Sequence, residues 1–274
     1  MITTLLLFTL CSAAQYGCDA DTQVLGWDRE PIDAGRAARR SFVVDDKRVE
    51  VWTTTSPAAA GHEPEGYVLF FVGQGDRAER WMGVMAQMWS RLPVEIWCMN
   101  YPGSGGSEGP AQIARVGPAA VAVYDQLQRV AAKRPILVQG YSLGTATALS
   151  VAGNRPVDGV ILIDPPPLRQ LIVGEYGWWN FGLISGYIAS QIPADLDSIA
   201  NASRSTAPAV ILSAGRDQTV PPKYQRMVID AYRGPHRVIN MPDCDHEDDL
   251  PKDALQQLAA GQDWLWQQAK TARP

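Results

Sequence analysis

The chain has 274 residues, of which 46 % are hydrophobic, and it carries a formal net charge of −5 at pH 7. A chain of this length and apolar content can bury a large core within a single compact domain. The acidic balance argues against a nucleic-acid-binding protein, because phosphate binding needs clustered lysine and arginine. The one such cluster, Arg36, Arg39 and Arg40, precedes the first predicted strands, where a solvated face is expected.

The first 20 residues predict a signal-like or lipid-anchor segment. Residues 2–14 are apolar enough for the core of a secretory signal and end in Ser12-Ala13-Ala14, a tolerable cleavage site, but no lysine or arginine precedes them. A lipid anchor on Cys18 or Cys11 is an alternative, though neither follows a good lipobox, and the run is too short for a spanning helix of about 20 residues. We expect an exported or membrane-anchored protein that touches a membrane only through this segment. An ordinary N-terminal tail of a cytoplasmic enzyme is the alternative.

Residues 41–270 predict one α/β domain. An opening hairpin is predicted at Ser41–Val44 and Arg48–Thr54, with Asp45-Asp46 at its turn. The strands predicted after it are Tyr67–Val72, Val94–Met99, Ile136–Gln139, Gly159–Ile163, Ala209–Ala214 and Arg237–Asn240. The predicted helices are Glu79–Arg91, Pro118–Ala132, Leu143–Asn154, Lys223–Tyr232 and Lys252–Ala269. This alternation predicts a mainly parallel sheet with helices on both faces and ligands at the carboxyl ends of the strands.

The segment Gly140-Tyr141-Ser142-Leu143-Gly144 directly follows the apolar run Pro135–Gln139 and begins a helix rich in small residues. A buried strand that turns sharply into a helix lifts one serine hydroxyl clear of the sheet, and glycine on either side lets the backbones approach closely. This pattern is typical of a nucleophile elbow. It makes Ser142 the candidate nucleophile.

A serine hydroxyl needs a base that takes its proton and an acid that orients the base. We assign the base to His246, which lies in an acidic loop after a predicted strand; His62 in a proline- and glycine-rich turn and His236 at a strand edge fit ordinary surface residues better. Asp217, at the end of an apolar strand, is the favoured acid. Its rivals are Asp164, at the end of the preceding strand, and the carboxylates of the loop around His246.

The order Ser, Asp, His identifies the chain as similar to the α/β-hydrolase fold serine hydrolases. The segments Asn100–Gly109 and Gly215–Pro221 most resemble the small bacterial hydrolases of the Bem46 and prolyl-oligopeptidase-like group. The resemblance implies an esterase or related acyl hydrolase without a cofactor. Val72 stands where the family usually has histidine before glycine, but the oxyanion is held by backbone donors, so the resemblance still implies the N–H groups of Gln74 and Leu143.

A cap insertion is predicted at about residues 165–205, between two strands. It is small and helical, and this compactness favours small or medium substrates. Its aromatic and apolar middle is expected to line an acyl or aromatic pocket, or to pack the cap onto the body of the domain. The residues predicted to line the substrate pocket are Tyr141, Trp81, Trp178, Trp179 and Phe181. No metal is expected, because the acidic loop around His246 lacks the glycine and distal glutamate of a calcium loop. Thioester or peptide cleavage, or a catalytically weak binding or scaffold protein on the same fold, are the alternatives to an esterase.

Overall fold

The computed structural model describes residues 20–25, 28–176 and 183–272. Its strands are β1 (Ala38–Val44), β2 (Lys47–Thr55), β3 (Gly66–Phe71), β4 (Val94–Met99), β5 (Ile136–Tyr141), β6 (Gly159–Ile163), β7 (Ala209–Ala214) and β8 (His236–Met241). They form one sheet in the order β1-β2-β4-β3-β5-β6-β7-β8. The pairs β1/β2 and β2/β4 are antiparallel, and the remaining neighbours are parallel. The predicted mainly parallel sheet is confirmed.

The helices cover both faces of this sheet, as predicted. They are α1 (Ala20–Val24), α2 (Ala78–Met88), α3 (Val116–Ala131), α4 (Leu143–Asn154), α5 (Leu168–Tyr176), α6 (Leu183–Ser190), α7 (Ser198–Arg204), α8 (Pro222–Ala231) and α9 (Lys252–Ala272). One layer contains α3, α4, α7 and α8, which contact one another in that order. The other contains α2 and α9, linked by a hydrogen bond from Gln262 to the carbonyl of Met88. Crossovers between parallel strands are right-handed, so the direction in which the chain moves along the sheet decides which face the connecting helix covers. The chain moves in one direction through α2, from β3 to β4, and in the opposite direction through α4, from β5 to β6, so these two helices cover opposite faces.

The hairpin and the central strands follow from simple sequence rules. Asp45 and Asp46 both have positive φ, at 49° and 58°, which suits the twist of a two-residue hairpin turn. Strands β3, β6 and β7 are buried along their whole length, as continuous apolar runs covered on both faces must be. The structure confirms the predicted strands and helices to within about three residues at each end, the usual uncertainty of such boundaries.

The predicted cap residues, 165–205, contain α5, α6 and α7 among the described residues. Helix α7 packs against α4 and α8, so this last part belongs to the helical layer on the sheet. An ion pair between Glu175 and Lys223, 2.8 Å long, joins α5 to α8. The predicted pocket residues Trp178, Trp179 and Phe181 lie outside the described residues.

The predicted N-terminal segment also lies outside the described residues, except for Ala20, which begins α1. Within the described ranges, no helix combines the length and apolar character that crossing a bilayer requires. Cys98 and Cys244 are not joined in a disulfide.

Candidate active site

Ser142 occupies a strained turn between β5 and α4. Its φ and ψ are 51° and −121°, a conformation that residues with a side chain rarely adopt. A Cβ at Gly144 would overlap the carbonyl oxygen of Phe71 in β3, and one at Gly140 would overlap the carbonyl oxygen of Gly144. Glycine is therefore required at both positions, which is the steric reason for the predicted elbow. The serine N–H donates to the carbonyl of Ile163 in β6, 2.9 Å away, and fixes the turn against the sheet.

The structure brings Ser142, His246 and Asp217 into one hydrogen-bonded chain. The hydroxyl Oγ of Ser142 lies 2.9 Å from Nε2 of His246, and Nδ1 of His246 lies 2.7 Å from Oδ2 of Asp217. All three residues are nearly buried, with exposed fractions of 9 %, 5 % and 3 %. Within this geometry the imidazole can accept the serine proton while the carboxylate holds the opposite ring nitrogen.

Asp217 is held by four hydrogen-bond donors. Its Oδ1 accepts the backbone N–H groups of Thr219 and Val220, at 2.9 and 2.6 Å, in the turn that follows β7. Its Oδ2 accepts from Nε2 of Gln225 at 2.9 Å as well as from His246. Gln225 is fully buried in α8 and was not predicted from the sequence, since nothing in its local pattern distinguishes it from any other helical glutamine.

Tyr141 fixes the loop that carries His246. Its hydroxyl donates to the backbone carbonyl of His246 at 2.7 Å, and its ring stacks on the imidazole with a centroid distance of 5.4 Å. Burial lowers the pKa of His246, but the hydrogen bond and charge of Asp217, with smaller contributions from Asp164 and Glu247, raise it above the ordinary value overall. An imidazolium at this position is thus favoured by its surroundings, which suits a base that becomes charged during a reaction.

The turn after β3 lies against the same serine. A Cβ on Gly73 would sit 3.6 Å from Cβ of Ser142, so the predicted oxyanion residue Gln74 follows a glycine that is adjacent to the elbow. The second predicted donor, Leu143, is the first residue of α4, and the first N–H groups of a helix have no partner within it. Without the usual histidine, the turn is held by the hydroxyl of Tyr101, which donates to the carbonyl of Val72 at 2.8 Å.

A cavity of about 700 Å³ opens beside His246. The predicted pocket residues Tyr141 and Trp81 both line it, and their rings contact each other at 5.6 Å. Its apolar wall consists of Trp81, Val84, Met88, Tyr141, Ile163, Met241, Leu250 and Leu255. Six carboxyl groups of the described residues line it: the buried Asp164, and five more accessible ones, here termed the acidic rim, which are Asp76, Asp245, Glu247, Asp248 and Asp249. Arg80 is the cationic side chain of the described lining, and it is paired with Asp28 and Asp76.

Asp164, the rival acid, also lies at the site. One of its oxygens, one oxygen of Asp217 and one ring nitrogen of His246 lie within 4.8 Å of one another, a spacing that metal ligands can also have. The oxygens of Asp217 already accept four hydrogen bonds, and Nδ1 of His246 is directed at one of them. Asp217 and His246 are therefore engaged with each other, whereas Oδ1 of Asp164 accepts from the N–H of Ala214.

No protein-family model matches the chain, and no curated protein matches it. Solved structures do. The protein Est1E from Butyrivibrio proteoclasticus with ferulic acid bound superimposes with a TM-score of 0.67 at 14 % identity, covering 84 % of this chain and 98 % of that one. An esterase from Pyrococcus furiosus gives a TM-score of 0.67 at 11 % identity over 89 % and 98 % of the two chains. A bacterial membrane phospholipase A gives 0.59 at 15 % identity over 96 % and 97 %. The fold is therefore the α/β-hydrolase fold, as predicted.

Proposed function

We propose that the chain is a serine hydrolase that cleaves carboxylic ester bonds of small to medium substrates through an acyl-enzyme intermediate. The observation that supports this most is the buried hydrogen-bonded chain from Ser142 through His246 to Asp217, built on a strained elbow. Strain at a buried, hydrogen-bonded serine is typical of a functional position. The esterase and phospholipase named among the similar structures are consistent with acyl ester chemistry.

In the proposed reaction, His246 takes the proton of Ser142 as Oγ attacks the ester carbonyl carbon. Asp217 orients the imidazole and favours its charged form. The backbone N–H groups of Gln74 and Leu143 stabilise the oxyanion, and the proton on His246 passes to the leaving alcohol as the acyl-enzyme forms. Water, deprotonated by the same imidazole, then releases the acid and restores the serine.

The cavity, whose lining includes His246 but not Ser142, has a size that is consistent with the proposed substrates. A volume of about 700 Å³ lies within the range of about 300–1,000 Å³ usual for small-molecule pockets. Its aromatic and aliphatic wall suits an acyl or aryl group, and Trp81 and Tyr141 supply its flat surfaces. The acidic rim disfavours anionic substrates, because a like charge in a partly buried cleft is repelled.

The experiment is stopped-flow hydrolysis of p-nitrophenyl esters of increasing chain length, beside a thioester and a peptide amide. We expect a burst of p-nitrophenol equal to the enzyme concentration, which is the signature of an acyl-enzyme. Ser142→Ala should abolish the burst, whereas Ser213→Ala, a control with a similarly low exposed fraction of 8 %, should retain it. Equal turnover by the parent and Ser142→Ala, or none by either on any of the three substrate classes, would refute the proposal.

We also propose export or membrane anchoring through residues 1–20, with a cytoplasmic location as the alternative. This rests on the sequence pattern alone. Cell fractionation with the full chain tests it. The variants Cys18→Ser and Cys11→Ser distinguish a lipid anchor from a cleaved signal, because membrane association is lost only when the anchored cysteine is replaced. Recovery of the full-length, uncleaved chain in the cytoplasm would contradict the export proposal.

A further inference from the structure

Asp164 is a buried carboxyl that the proposed reaction does not use. It follows β6, is 2 % exposed and has a φ of 52°, so it stands in the left-handed region directly beside the site. Its N–H donates to the carbonyl of Leu212 and its Oδ1 accepts from the N–H of Ala214, both in β7. Two hydrogen bonds to the neighbouring strand thus hold this residue at a positive φ, and backbone outliers of this kind cluster at functional sites.

The position of Asp164 relates it to the base. An oxygen of Asp164 lies within 4.8 Å of a ring nitrogen of His246 and of an oxygen of Asp217. A movement of about 2 Å by the ring or the carboxyl would bring the two into hydrogen-bond distance. We propose that Asp164 is a positioning residue for His246, a second buried carboxyl that orients the imidazole when Asp217 cannot. This inference rests on the proposed function.

The charges around Asp164 explain how it can stand in for Asp217. The pKa of Asp164 is raised to about 7, chiefly because the carboxyl is buried. The charge of Asp217 also raises it, whereas the hydrogen bond from Ala214 and the charge of His246 lower it. When Asp217 is neutralised, its repulsion disappears and the pKa of Asp164 falls. The Asp164 carboxyl is therefore ionised at neutral pH when Asp217 no longer provides a negative charge beside the His246 imidazole.

Several titratable groups face Asp164 from the elements packed around it. They are Tyr141 in β5, Asp217 after β7, and Cys244, His246 and Glu247 in the loop after β8. The pKa of the Tyr141 phenol and the pKa of the Cys244 thiol both lie above neutral pH, and burial raises each of them further. Both groups are therefore neutral near pH 7, which leaves the charges of Asp217 and His246 as the main electrostatic influences of neighbouring side chains on Asp164.

The variants for the test are Asp217→Asn, Asp164→Asn and the double variant. Asparagine keeps the size of the side chain and tolerates positive φ, so the strained backbone at position 164 is retained. Asp164→Gly is a second replacement that removes the carboxyl without straining the backbone. Asp243→Asn is the matched control, because it removes a carboxylate from the His246 loop whose partner is the exposed Arg216.

Ester hydrolysis gives the first measurement. We expect Asp217→Asn to lose about 100-fold in kcat, less than the roughly 10⁴-fold loss found where one carboxylate alone orients the histidine. Asp164→Asn alone should lose less than about fivefold, and the double variant should reach about 10⁴-fold, so that the two changes are strongly non-additive. A loss from Asp164→Asn that is the same with and without Asp217 would overturn the proposal.

Proton NMR gives a second measurement that does not need activity. Asp217→Asn should retain a downfield Nδ1–H signal of His246, and the double variant should lose it. Asp164→Asn and Asp164→Gly should lower the imidazole pKa, while Asp243→Asn leaves it unchanged. If no ester is hydrolysed, the proposed function fails and NMR still decides the role of Asp164. If hydrolysis occurs but the downfield signal disappears in Asp217→Asn itself, the role of Asp164 alone is wrong.

Discussion

Asp164 is expected to make the protein less stable as the pH rises. The pKa of its carboxyl is raised from 3.8 to about 7, chiefly because only 2 % of the residue is exposed and partly because of the charge of Asp217. The folded chain keeps a proton that the unfolded chain releases, so the free energy of unfolding falls between about pH 4 and pH 7 and is constant above that. One pKa unit corresponds to about 1.4 kcal/mol, which gives a total of about 4 kcal/mol, of which about 2–3 kcal/mol falls between pH 5 and pH 8.

Urea denaturation at pH 5 and pH 8, followed by tryptophan fluorescence, measures this effect. Other titrating groups contribute to both proteins and largely cancel when the parent is compared with Asp164→Asn. His246 is the exception, because the substitution removes a charge that raises its pKa, and this change acts in the same direction as the loss of the Asp164 carboxyl. We expect the variant to gain about 2–3 kcal/mol on the parent between the two pH values. Asp243→Asn, which removes an exposed carboxylate, should follow the parent. Parallel pH dependence of Asp164→Asn and the parent would show that the Asp164 carboxyl ionises normally in the folded state.

Three further outcomes follow from the site. His246→Ala should lower kcat by at least about 10³-fold because the base is removed, whereas His62→Ala and His236→Ala should keep kcat within a few fold of the parent. Equal losses of kcat in all three variants, measured in steady-state assays, would show that His246 is not the base. Tyr141→Phe keeps the stacked ring but loses the donor to the His246 carbonyl, so kcat should fall about tenfold with little change in KM, while Tyr187→Phe, at an exposed position, serves as the unaffected control. An ester with a cationic leaving group should have a kcat/KM at least about tenfold above that of an anionic analogue of the same size, with the ratio shrinking as salt increases; a preference for the anion would show that the acidic rim does not face the substrate.

The fold and the three central site residues could be predicted because their signals are local. Apolar runs of strand length predict the strands of the sheet. The glycines around Ser142 are required because a side chain there would overlap backbone atoms of the same short segment or of the neighbouring strand. Asp217 and His246 each follow a predicted strand, so the parallel sheet carries them to one edge. The topology thus brings His246 close to Ser142 and Asp217 close to His246, where the hydrogen bonds of the site form.

The supporting contacts could not be predicted, because they depend on side chains that are distant in sequence. Gln225 reaches Asp217 from inside a helix, and Tyr101 replaces the support of the missing histidine from the loop after another strand. Tyr141 was predicted as a pocket residue, and it does line the cavity, but its hydroxyl also holds the His246 loop. The proximity of Asp164 to Asp217 could not be predicted either, because it depends on the distance between the ends of two adjacent strands and not only on which residues stand there.

The most direct measurement is peptide mapping by mass spectrometry after reaction with a fluorophosphonate. We expect one adduct per chain, located on Ser142, with no labelling after Ser142→Ala and strongly slowed labelling after His246→Ala. An adduct on any other residue, or labelling that is unchanged in the Ser142→Ala variant, would contradict the assignment of Ser142 as the nucleophile.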